Sequence, residues 1–577
     1  MKYIVLIISV FCSQVLFAQT ADYIIRNGKI MDGTGNNWQL KDVAIVHNKI
    51  AAIGNLKGWK TNKEIDAKGL IVSPGFIDVH AHIEGGESRN PLATNFIYDG
   101  VTTVVTGNCG GSADDMKTYF NFIDSLGVSI NVAALMGHNN IRKQVMGTAN
   151  RHATEQELQQ MELIAAKAMQ DGAVGMSTGL IYIPGTFAPT EEVVRLAKVI
   201  AQNGGVYASH IRNEEDKVAE AVNEAIAIGR EAHLPVEISH FKVNGQNNWG
   251  RSNESISLVE NARKEGIDVT IDQYPYTASS TNLGILLPDW VLADGQDSIL
   301  KRLKDPVIRA KVKTHSLGII KGRGLKHFDY AYVANFKADT SYNGKNLREI
   351  NILRGNKDNS KEEAETIVQM IELGGAQMVY HGMGDKDVKN IMAYPYNMAA
   401  SDAGIAVMGA GKPHPRAYGT NSRVLGKYVR EEKVISLEEA IRRMTSLPAN
   451  KFNLVDRGLI KEGYIADMVV FDENERRRYG LIALFIVSPL PSAQLFEAAG
   501  LMHLNLKRLT LAFFSGRIIT YSFYAASAST LKTTDFGKVL TKAFLSPYAW
   551  ALEIISILLI YLIAKIDWRR FLKPASL

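Results

Sequence analysis

The sequence predicts an α/β protein built around a (β/α)8 barrel, and three observations predict it. Eight short, mostly apolar runs recur along the 577-residue chain, and segments with helical periodicity lie between most of them. Strands that alternate with helices form a parallel sheet, and eight such units close into a barrel. Polar residues able to do chemistry follow several runs, at the end of each strand where barrel active sites lie. The predicted strands are 75–82, 101–106, 131–136, 173–178, 206–212, 235–241, 267–274 and 397–402.

Two flanking segments have a different pattern and predict a second, smaller domain. Residues 22–69 carry short alternating apolar runs separated by Gly and Asn, which is typical of a small antiparallel sheet. Residues 458–472 return to this style after the barrel and are expected to rejoin that sheet. We therefore expect a small β-sandwich domain formed by 19–70 and 450–474, with the barrel at 71–449.

Helical segments connect the barrel strands, and one connection is much longer than the others. Residues 154–170 and 216–232 have helical periodicity, and Thr154 is suited to cap the first of these helices. Between the seventh and eighth predicted strands, at about 281–395, the chain is far longer than a connection within a barrel requires. We expect a large insertion there.

The two ends of the chain predict export and a membrane anchor. A positively charged start, an apolar run to Phe17 and the small residue Ala18 form the pattern of a cleaved signal peptide over residues 1–18. Residues 475–577 contain long apolar stretches, the last at 548–564, that predict two or three transmembrane helices; buried amphipathic helices are the alternative. The expected location is periplasmic or otherwise extracytoplasmic, with the tail in the membrane.

The distribution of charge argues against nucleic-acid binding. The chain has 65 Lys and Arg against 59 Asp and Glu, but 13 of the basic and only 5 of the acidic residues lie in 475–577. The main body is therefore slightly acidic, whereas a nucleic-acid-binding domain needs a basic surface.

Six side chains at the ends of predicted strands have the chemistry of metal ligands. The first strand ends in His80 and His82, which point to the same side because alternate residues of a strand share a face. Taken alone, each histidine is more often a structural residue than a ligand, and Cys109 could be a buried apolar thiol. The carboxyl ends of all strands meet at one mouth of a barrel, however, and imidazole, thiolate and carboxylate groups bind Zn²⁺. The predicted ligands are His80, His82, Cys109, His210, His240 and Asp402.

These motifs resemble the amidohydrolase superfamily and, within it, the D-aminoacylases, which are N-acyl-D-amino-acid deacylases. The similarity extends from about Asp22 to Asp472. The fourth strand lacks the carboxylated Lys that bridges two metals in many amidohydrolases, and Cys109 is the available substitute. The motifs that carry the resemblance are Pro74-Gly75-Phe76-Ile77-Asp78-Val79-His80-Ala81-His82, Gly107-Asn108-Cys109-Gly110, Ser209-His210-Ile211-Arg212-Asn213-Glu214, Ile238-Ser239-His240-Phe241-Lys242, Ser401-Asp402 and His414-Pro415-Arg416-Ala417-Tyr418-Gly419-Thr420.

The resemblance implies a metal-dependent hydrolase of N-acyl-D-amino acids. It implies a tight zinc ion held by Cys109, His210 and His240, and a second, weaker divalent site formed by His80, His82 and Asp402. Asp402 would be the catalytic residue that takes a proton from water and passes it to the leaving nitrogen. Residues implied to bind the substrate are Tyr182, Lys242, Tyr274, Ser280 and Arg416. His138 and His381 also lie near predicted strand ends and are expected either to be structural or to support the ligands from behind.

Departures from the family pattern leave alternatives open. Asn421 and Ser422 stand where relatives tend to have an aromatic residue and Pro, which could alter one wall of the pocket. The apolar tail resembles polytopic inner-membrane proteins of the DedA type, through motifs such as Ser488-Pro489-Leu490-Pro491. One alternative function is a cyclic-amide or dipeptide hydrolase on the same barrel. Another is a membrane transport or scaffold protein that carries an inactive barrel. The oligomeric state and the chirality of the substrate do not follow from the sequence.

Overall fold

The computed structural model describes residues 19–407 and 409–473. The predicted signal peptide (1–18) and the predicted membrane tail (475–577) lie outside the described residues. None of the described helices is long and apolar enough to cross a bilayer.

The described chain alternates strands and helices over most of its length. The strands are β1 (Tyr23–Ile30), β2 (Gln39–Val46), β3 (Lys49–Gly54), β4 (Glu64–Asp66), β5 (Ile71–Pro74), β6 (Phe76–Asp78), β7 (Val101–Thr106), β8 (Asn131–Gly137), β9 (Gly175–Gly179), β10 (Val206–His210), β11 (Val236–Ile238), β12 (Val269–Gln273), β13 (Ala278–Asn282), β14 (Ala331–Asn335), β15 (Gln377–His381), β16 (Asn397–Ala399) and β17 (Met468–Phe471). The α-helices are α1 (Thr94–Ile97), α2 (Met116–Leu126), α3 (His138–Met146), α4 (Glu155–Gln170), α5 (Thr190–Gln202), α6 (Val218–Ala232), α7 (Ser252–Lys264), α8 (Asp289–Leu292), α9 (Gln296–Lys304), α10 (Pro306–Gly322), α11 (Leu347–Leu353), α12 (Ser360–Glu372), α13 (Asp385–Ala393), α14 (Arg416–Arg423), α15 (Leu437–Met444) and α16 (Ser446–Lys451), and a π-helix spans Val424–Glu431.

Eight parallel strands form the predicted barrel. They pair in the order β6, β7, β8, β9, β10, β11, β12 and β16, so the expected (β/α)8 fold is confirmed. The two end strands are joined just beyond their own limits, where Asp402 N donates to His80 O at 2.8 Å and His82 N donates to Ala403 O at 2.9 Å. The ring therefore closes at the mouth, beside three of the predicted ligands.

Apolar packing between the strands and the outer helices stabilises the barrel. One large buried cluster joins side chains of β8 to β12 with side chains of α4 to α7. Thr154 caps α4, and its side chain and that of Glu157 each accept a hydrogen bond from the other residue's backbone N–H. Burial of about 25 cal/mol per Å² of apolar surface makes such a shell the main source of stability.

The flanks of the barrel form one six-stranded sheet. Its order is β17, β5, β1, β2 and β3, with β4 also paired to β1. The sequence predicts an antiparallel sheet within a β-sandwich, but the described residues form a single mixed sheet in which β4 and β5 run parallel to β1. The periodicity of short strands reveals which side chains share a face but not the direction in which the chain returns, and this explains the difference.

The insertion is a separate α/β subdomain over the barrel mouth. β13, β15 and β14 form an antiparallel sheet, and helices α8 to α12 pack on it around their own buried apolar cluster. Helix α13 contacts α7 of the barrel, so the insertion covers about 278–381 rather than 281–395. Sequence periodicity does not distinguish a helix of the insertion from the last helix of the barrel, because both bury one apolar face.

Candidate metal centre

Cys109 lies at the centre of a cluster of imidazoles at the barrel mouth. Its Sγ is 3.3 Å from His80 Nε2, 3.4 Å from His210 Nδ1 and 3.5 Å from His240 Nε2. His240 Nε2 and His210 Nδ1 are 2.6 Å apart. Four side chains from four different strands thus direct ligand atoms to one point.

Asp402 and His82 extend this cluster on one side. Asp402 Oδ1 is 3.3 Å from His82 Nε2 and 3.8 Å from His80 Nε2. All six predicted ligands therefore lie together, and His80 contacts both the Cys109 side and the Asp402 side. The structure does not divide the donors as sharply into two sites of three as the sequence analysis expected, because His80 lies between them.

The backbone is strained at three of these six residues. Cys109, His240 and Asp402 have φ values of 53°, 37° and 50°, in the left-handed region that non-glycine residues rarely adopt. Next to Cys109, a Cβ at Gly107 would lie 2.0 Å from the carbonyl oxygen of Leu135, so only glycine fits the turn there. Strain of this kind persists where the surroundings impose it, and it is concentrated at functional sites.

Buried carboxylates hold the imidazoles in place from behind. Asp272 Oδ2 is 3.1 Å from His80 Nδ1, and Asp272 Oδ1 accepts a hydrogen bond from His240 N at 2.9 Å. Glu214 Oε1 is 3.2 Å from His240 Nδ1 and accepts a hydrogen bond from Lys242 Nζ at 2.6 Å. Carboxylates that bind the second ring nitrogen of a ligand histidine fix its orientation and raise its basicity.

Charge at the centre favours ionised donors. Burial alone would raise the pKa of the Cys109 thiol, but the imidazoles of His80, His240 and His210 hold that pKa well below its usual value. Burial would likewise raise the pKa of Asp402, and Arg416 together with the imidazoles lowers it far below the usual range. The pKa of His82 is raised to about 9: burial lowers it, but Asp402 and Cys109 outweigh that effect. A divalent cation would take the place of the positive charge that these protons provide.

The donor set fits a zinc ion. One thiolate, imidazoles and a carboxylate form the mixed sulfur, nitrogen and oxygen set that Zn²⁺ prefers. His210 Nε2 is buried without a hydrogen bond, and the carboxylate oxygen of Glu214 lies 3.6 Å from it. His210 Nδ1, on the other edge of the ring, faces Cys109 and His240.

The residues predicted to bind substrate surround the centre. Arg416 Nη1 is 2.8 Å from Asp402 Oδ2, and its guanidinium lies 4.6 Å from the ring centre of Tyr274. Arg416 Nη2 also donates to Ser280 O at 3.1 Å. Lys242 Nζ lies 5.7 Å from the same Tyr274 ring, on the Glu214 side of the centre. Two buried cations therefore lie near one tyrosine beside the ligands.

Tyr182 lies beside His210 and contacts the insertion. Its ring centre is 4.8 Å from that of His210, and its hydroxyl is 3.1 Å from Thr281 Oγ1. A cavity of about 1170 Å³ extends from the ligands between the barrel loops and the insertion. This volume exceeds that of a small N-acyl amino acid, so a larger substituent also has room.

Two further histidines lie outside the metal cluster. His138 is fully buried against Glu192 at 2.9 Å, and His381 lies in the insertion sheet with its ring 5.4 Å from that of Tyr332. Asp272 and Glu214, which contact the clustered histidines, were not predicted from the sequence. The sequence offers one signal for Asp272, because a carboxylate inside the buried strand Val269–Gln273 is unusual.

Comparisons with known proteins point to one family. A model of the amidohydrolase family matches residues 63–479. The chain is 34% identical to a D-aminoacylase of Alcaligenes xylosoxydans xylosoxydans over 478 residues, which cover 79% of this chain and 89% of that protein. It is also 34% identical to an N-acyl-D-glutamate deacylase of the same organism, over 78% of this chain and 87% of that one. The crystal structure of an N-acyl-D-glutamate deacylase from Bordetella bronchiseptica, complexed with zinc and a phosphonate inhibitor that mimics the tetrahedral intermediate, matches with a TM-score of 0.67 at 34% identity, over 79% of this chain and 90% of that chain.

Proposed function

The chain belongs to the amidohydrolase family, and we propose that it is a zinc-dependent deacylase that hydrolyses N-acyl-D-amino acids to a carboxylate and a free D-amino acid. The observation that carries this proposal is the presence in one cavity of both a thiolate–imidazole cluster and two buried cations. The cluster suits a zinc ion, and the cations Arg416 and Lys242 suit the carboxylate of an amino acid. The similarity to a D-aminoacylase and to a zinc-containing N-acyl-D-glutamate deacylase supports it.

The residues that would hold zinc are those that the resemblance implies. Cys109, His210 and His240, whose donor atoms lie 2.6 to 3.5 Å apart, would bind the tighter ion. His80, His82 and Asp402 would form the weaker position. When bound, zinc polarises an amide carbonyl and lowers the pKa of water.

Asp402 is placed to move the proton. Its carboxylate lies between His82 and Arg416, 3.3 Å and 2.8 Å from the nearest nitrogen of each, and stays ionised there. It would accept a proton from the attacking water and deliver it to the leaving nitrogen, so that the amine departs neutral. Proton transfer of this type contributes roughly 10²- to 10⁴-fold to an enzymatic rate.

Arg416 and Lys242 would orient the substrate. A planar guanidinium binds both oxygens of a carboxylate, which fixes the α-carboxylate and hence the amide, whose nitrogen is bonded to the adjacent Cα. Tyr274 stacks beside both cations, and its hydroxyl is buried without a hydrogen-bond partner. A linear N-acyl amino acid presents a free carboxylate to these groups, whereas a hydantoin ring does not.

A substrate panel tests the proposal. Zinc-loaded protein is assayed with N-acetyl-D-leucine, N-acetyl-L-leucine, a 5-substituted hydantoin and a D-Leu-containing dipeptide. We expect hydrolysis of N-acetyl-D-leucine, with kcat/KM at least about tenfold higher than for the other three. Faster hydrolysis of the hydantoin or the dipeptide would favour the alternative hydrolases, and no hydrolysis of any compound would favour an inactive barrel.

We also propose that the protein is exported and anchored by its tail. This rests on the sequence pattern of residues 1–18 and 475–577. Sequencing the N-terminus of the mature protein and locating it in membrane fractions would test both points. An intact Met1, or recovery only in the soluble fraction, would contradict them.

A further inference from the structure

We infer that the cavity accepts N-acyl-D-amino acids whose side chain and acyl group are both neutral, and that it rejects substrates with a second carboxylate. This inference rests on the proposed function and extends it to the substituents of the substrate. The two relatives do not decide the matter, because a D-aminoacylase and an N-acyl-D-glutamate deacylase are equally identical to this chain.

Few positively charged side chains line the cavity. Among the described residues that line it, four carry a guanidinium or ammonium group: Arg212, Lys242, Arg323 and Arg416. In the proposed function, Lys242 and Arg416 serve the α-carboxylate that every N-acyl amino acid has. Both already have protein partners, since Lys242 Nζ donates to Glu214 Oε1 and His240 O, and Arg416 binds Asp402 and donates to Ser280 O. A second carboxylate would therefore need Arg212 or Arg323.

Arg212 is already fully engaged with protein acceptors. Its Nε and Nη2 donate to the carboxylate of Glu224 at 2.8 to 3.2 Å. Its Nη1 donates to the carbonyl of Thr186 at 3.2 Å, and Nη2 also donates to that of Ala188 at 3.0 Å. A ligand carboxylate would have to displace Glu224.

Arg323 lines the cavity but is buried and paired with a carboxylate. Its Nη2 binds the carboxylate of Glu215, and its guanidinium lies 4.7 Å above the ring of Tyr330. The remaining nitrogens, Nε and Nη1, are buried from solvent, and the residue is only 5% exposed. Arg323 therefore joins the insertion to the barrel loop that carries Glu215, and a ligand carboxylate at its Nη2 would have to displace Glu215.

The rest of the wall holds carboxylates, neutral amides and hydroxyls, and apolar side chains, but no further guanidinium or ammonium group among the described residues. Asp289 accepts a hydrogen bond from Thr186 Oγ1 at 2.8 Å, and Asp216 accepts one from Asn213 Nδ2 at 3.2 Å, so both carboxylates have neutral partners. Burial lowers the pKa of His315, which keeps this side chain neutral beside them. The apolar part of the wall consists of Ile181, Ile285, Leu286 and Ile319.

A second carboxylate in this cavity would meet like charge and lose water without gaining a cation. Removing the partner of a buried charge is one of the most costly changes in a protein, and a site discriminates strongly against a group that it leaves unpaired. An aliphatic, aromatic or amide substituent carries no such cost and can pack on the isoleucines. We expect discrimination on the order of 100-fold.

Two matched substrate pairs test the inference on the zinc-loaded full chain. N-acetyl-D-glutamine and N-acetyl-D-glutamate have the same shape and differ in charge, and N-butanoyl- and N-succinyl-D-leucine differ by one carboxylate in the acyl group. We expect the neutral member of each pair to have a kcat/KM about 100-fold higher, with N-acetyl-D-leucine as a good reference substrate.

A variant that removes one negative charge tests whether the cavity wall causes the preference for neutral substrates. Asp289→Asn should reduce the glutamine-to-glutamate ratio several-fold, whereas Asp297→Asn, an exposed aspartate of α9 in the same insertion, should leave it unchanged. Hydrolysis of the glutamate compound at a rate equal to or above that of the glutamine compound would overturn the inference while leaving the deacylase function intact. If none of these compounds were hydrolysed, the proposed function itself would fail. A ratio that Asp289→Asn does not change would contradict the role given to this carboxylate.

Discussion

Cys109 connects the backbone strain of the site with its chemistry. Its left-handed backbone conformation turns Sγ toward three imidazoles, and these lower the pKa of its thiol against the effect of burial. A thiolate is the form that binds zinc, and a structural buried thiol would have its pKa raised by apolar surroundings. The environment therefore favours a metal ligand over the buried apolar thiol that was the alternative.

Replacing Cys109 should remove the tighter metal. We expect Cys109→Ala to lose zinc on dialysis and to lose at least about 1000-fold in kcat/KM, because no other thiolate lies in the described site. The measurement is zinc per chain by mass spectrometry, together with the rate for N-acetyl-D-leucine. His381→Ala, a half-exposed histidine outside the cluster, is the matched control and should retain both zinc and activity.

At the residue scale, the sequence predicted which donor side chains lie together better than it predicted their partners. The clustering of His80, His210 and His240 could be predicted because each lies at or just after the end of a strand, and the strand ends of a barrel share one mouth. Asp272 and Glu214 act from behind the ligands, and which carboxylate reaches which ring nitrogen depends on side-chain directions that only the structure supplies. The position of His80 between Cys109 and Asp402 likewise follows from interatomic distances that only the structure supplies.

At the scale of elements, helix α1 connects two segments that carry proposed functional residues. Asn95 Nδ2 donates to Gly404 O at 3.1 Å and to Ala417 O at 2.8 Å, while its Oδ1 accepts from Ala406 N at 3.2 Å. The first segment is the loop after Asp402, and the second is the start of helix α14, which carries Arg416. This one buried side chain thus sets the distance between the proposed proton carrier and the proposed carboxylate-binding arginine.

Loss of Asn95 should disturb substrate orientation more than metal binding. We expect Asn95→Ala to lower kcat/KM about tenfold and to weaken the preference for N-acetyl-D-leucine over its amide, because Arg416 is no longer fixed relative to Asp402. Tyr98→Ala, at an exposed residue just after α1, serves as the control. An unchanged preference with normal zinc content would show that Asn95 has a purely structural role.

Asp99 follows α1 and explains the unusual pair Asn421 and Ser422. Its carboxylate accepts hydrogen bonds from Asn421 N at 2.7 Å, Ser422 N at 2.9 Å and Ser422 Oγ at 2.5 Å. Gly419, just before them, has non-helical φ and ψ, and these bonds support the chain where α14 is kinked. The pair therefore contacts a buried carboxylate beneath the loop.

Asp99 should make stability depend on pH. Burial raises the pKa of Asp99 from 3.8 to about 6, against the effect of its hydrogen bonds, so the folded state holds this proton more tightly than the unfolded state. The resulting stabilisation is complete below about pH 4 and is lost as pH rises through 6, a difference of about 3 kcal/mol.

Asp99→Asn cannot titrate and should lack this component. Urea unfolding of both proteins from pH 4.5 to 7.5, at saturating zinc, should show the wild type losing stability relative to the variant as pH rises. Asp297→Asn should follow the wild-type profile. Parallel curves for wild type and Asp99→Asn would contradict the raised pKa.

Element positions were predictable where periodicity was strong. The eight barrel strands lie where the sequence placed them, because buried parallel strands form short continuous apolar runs. The limits of the insertion and the parallel pairing of β4 and β5 with β1 depend on long-range packing, which local patterns do not record.

At the scale of the whole molecule, barrel and insertion together create the cavity. The barrel supplies the proposed zinc ligands, while the insertion supplies Ser280, Ile285, Asp289 and Ile319 to the cavity wall. Arg323 and Glu215 join the two across the mouth. The proposed metal ligands and the residues that contact the substituents of the substrate thus lie in different parts of the chain. Variants in the insertion can therefore test substrate preference without changing the metal site.

The measurement that tests the account most directly is a zinc titration of the metal-stripped full chain, followed by release of D-leucine from N-acetyl-D-leucine. We predict no hydrolysis without metal, a rise in rate up to about one zinc per chain, and no response in Cys109→Ala. Hydrolysis by metal-free protein, or a Cys109→Ala response equal to that of the wild type, would contradict the claim that Cys109 holds the zinc of a metal-dependent deacylase.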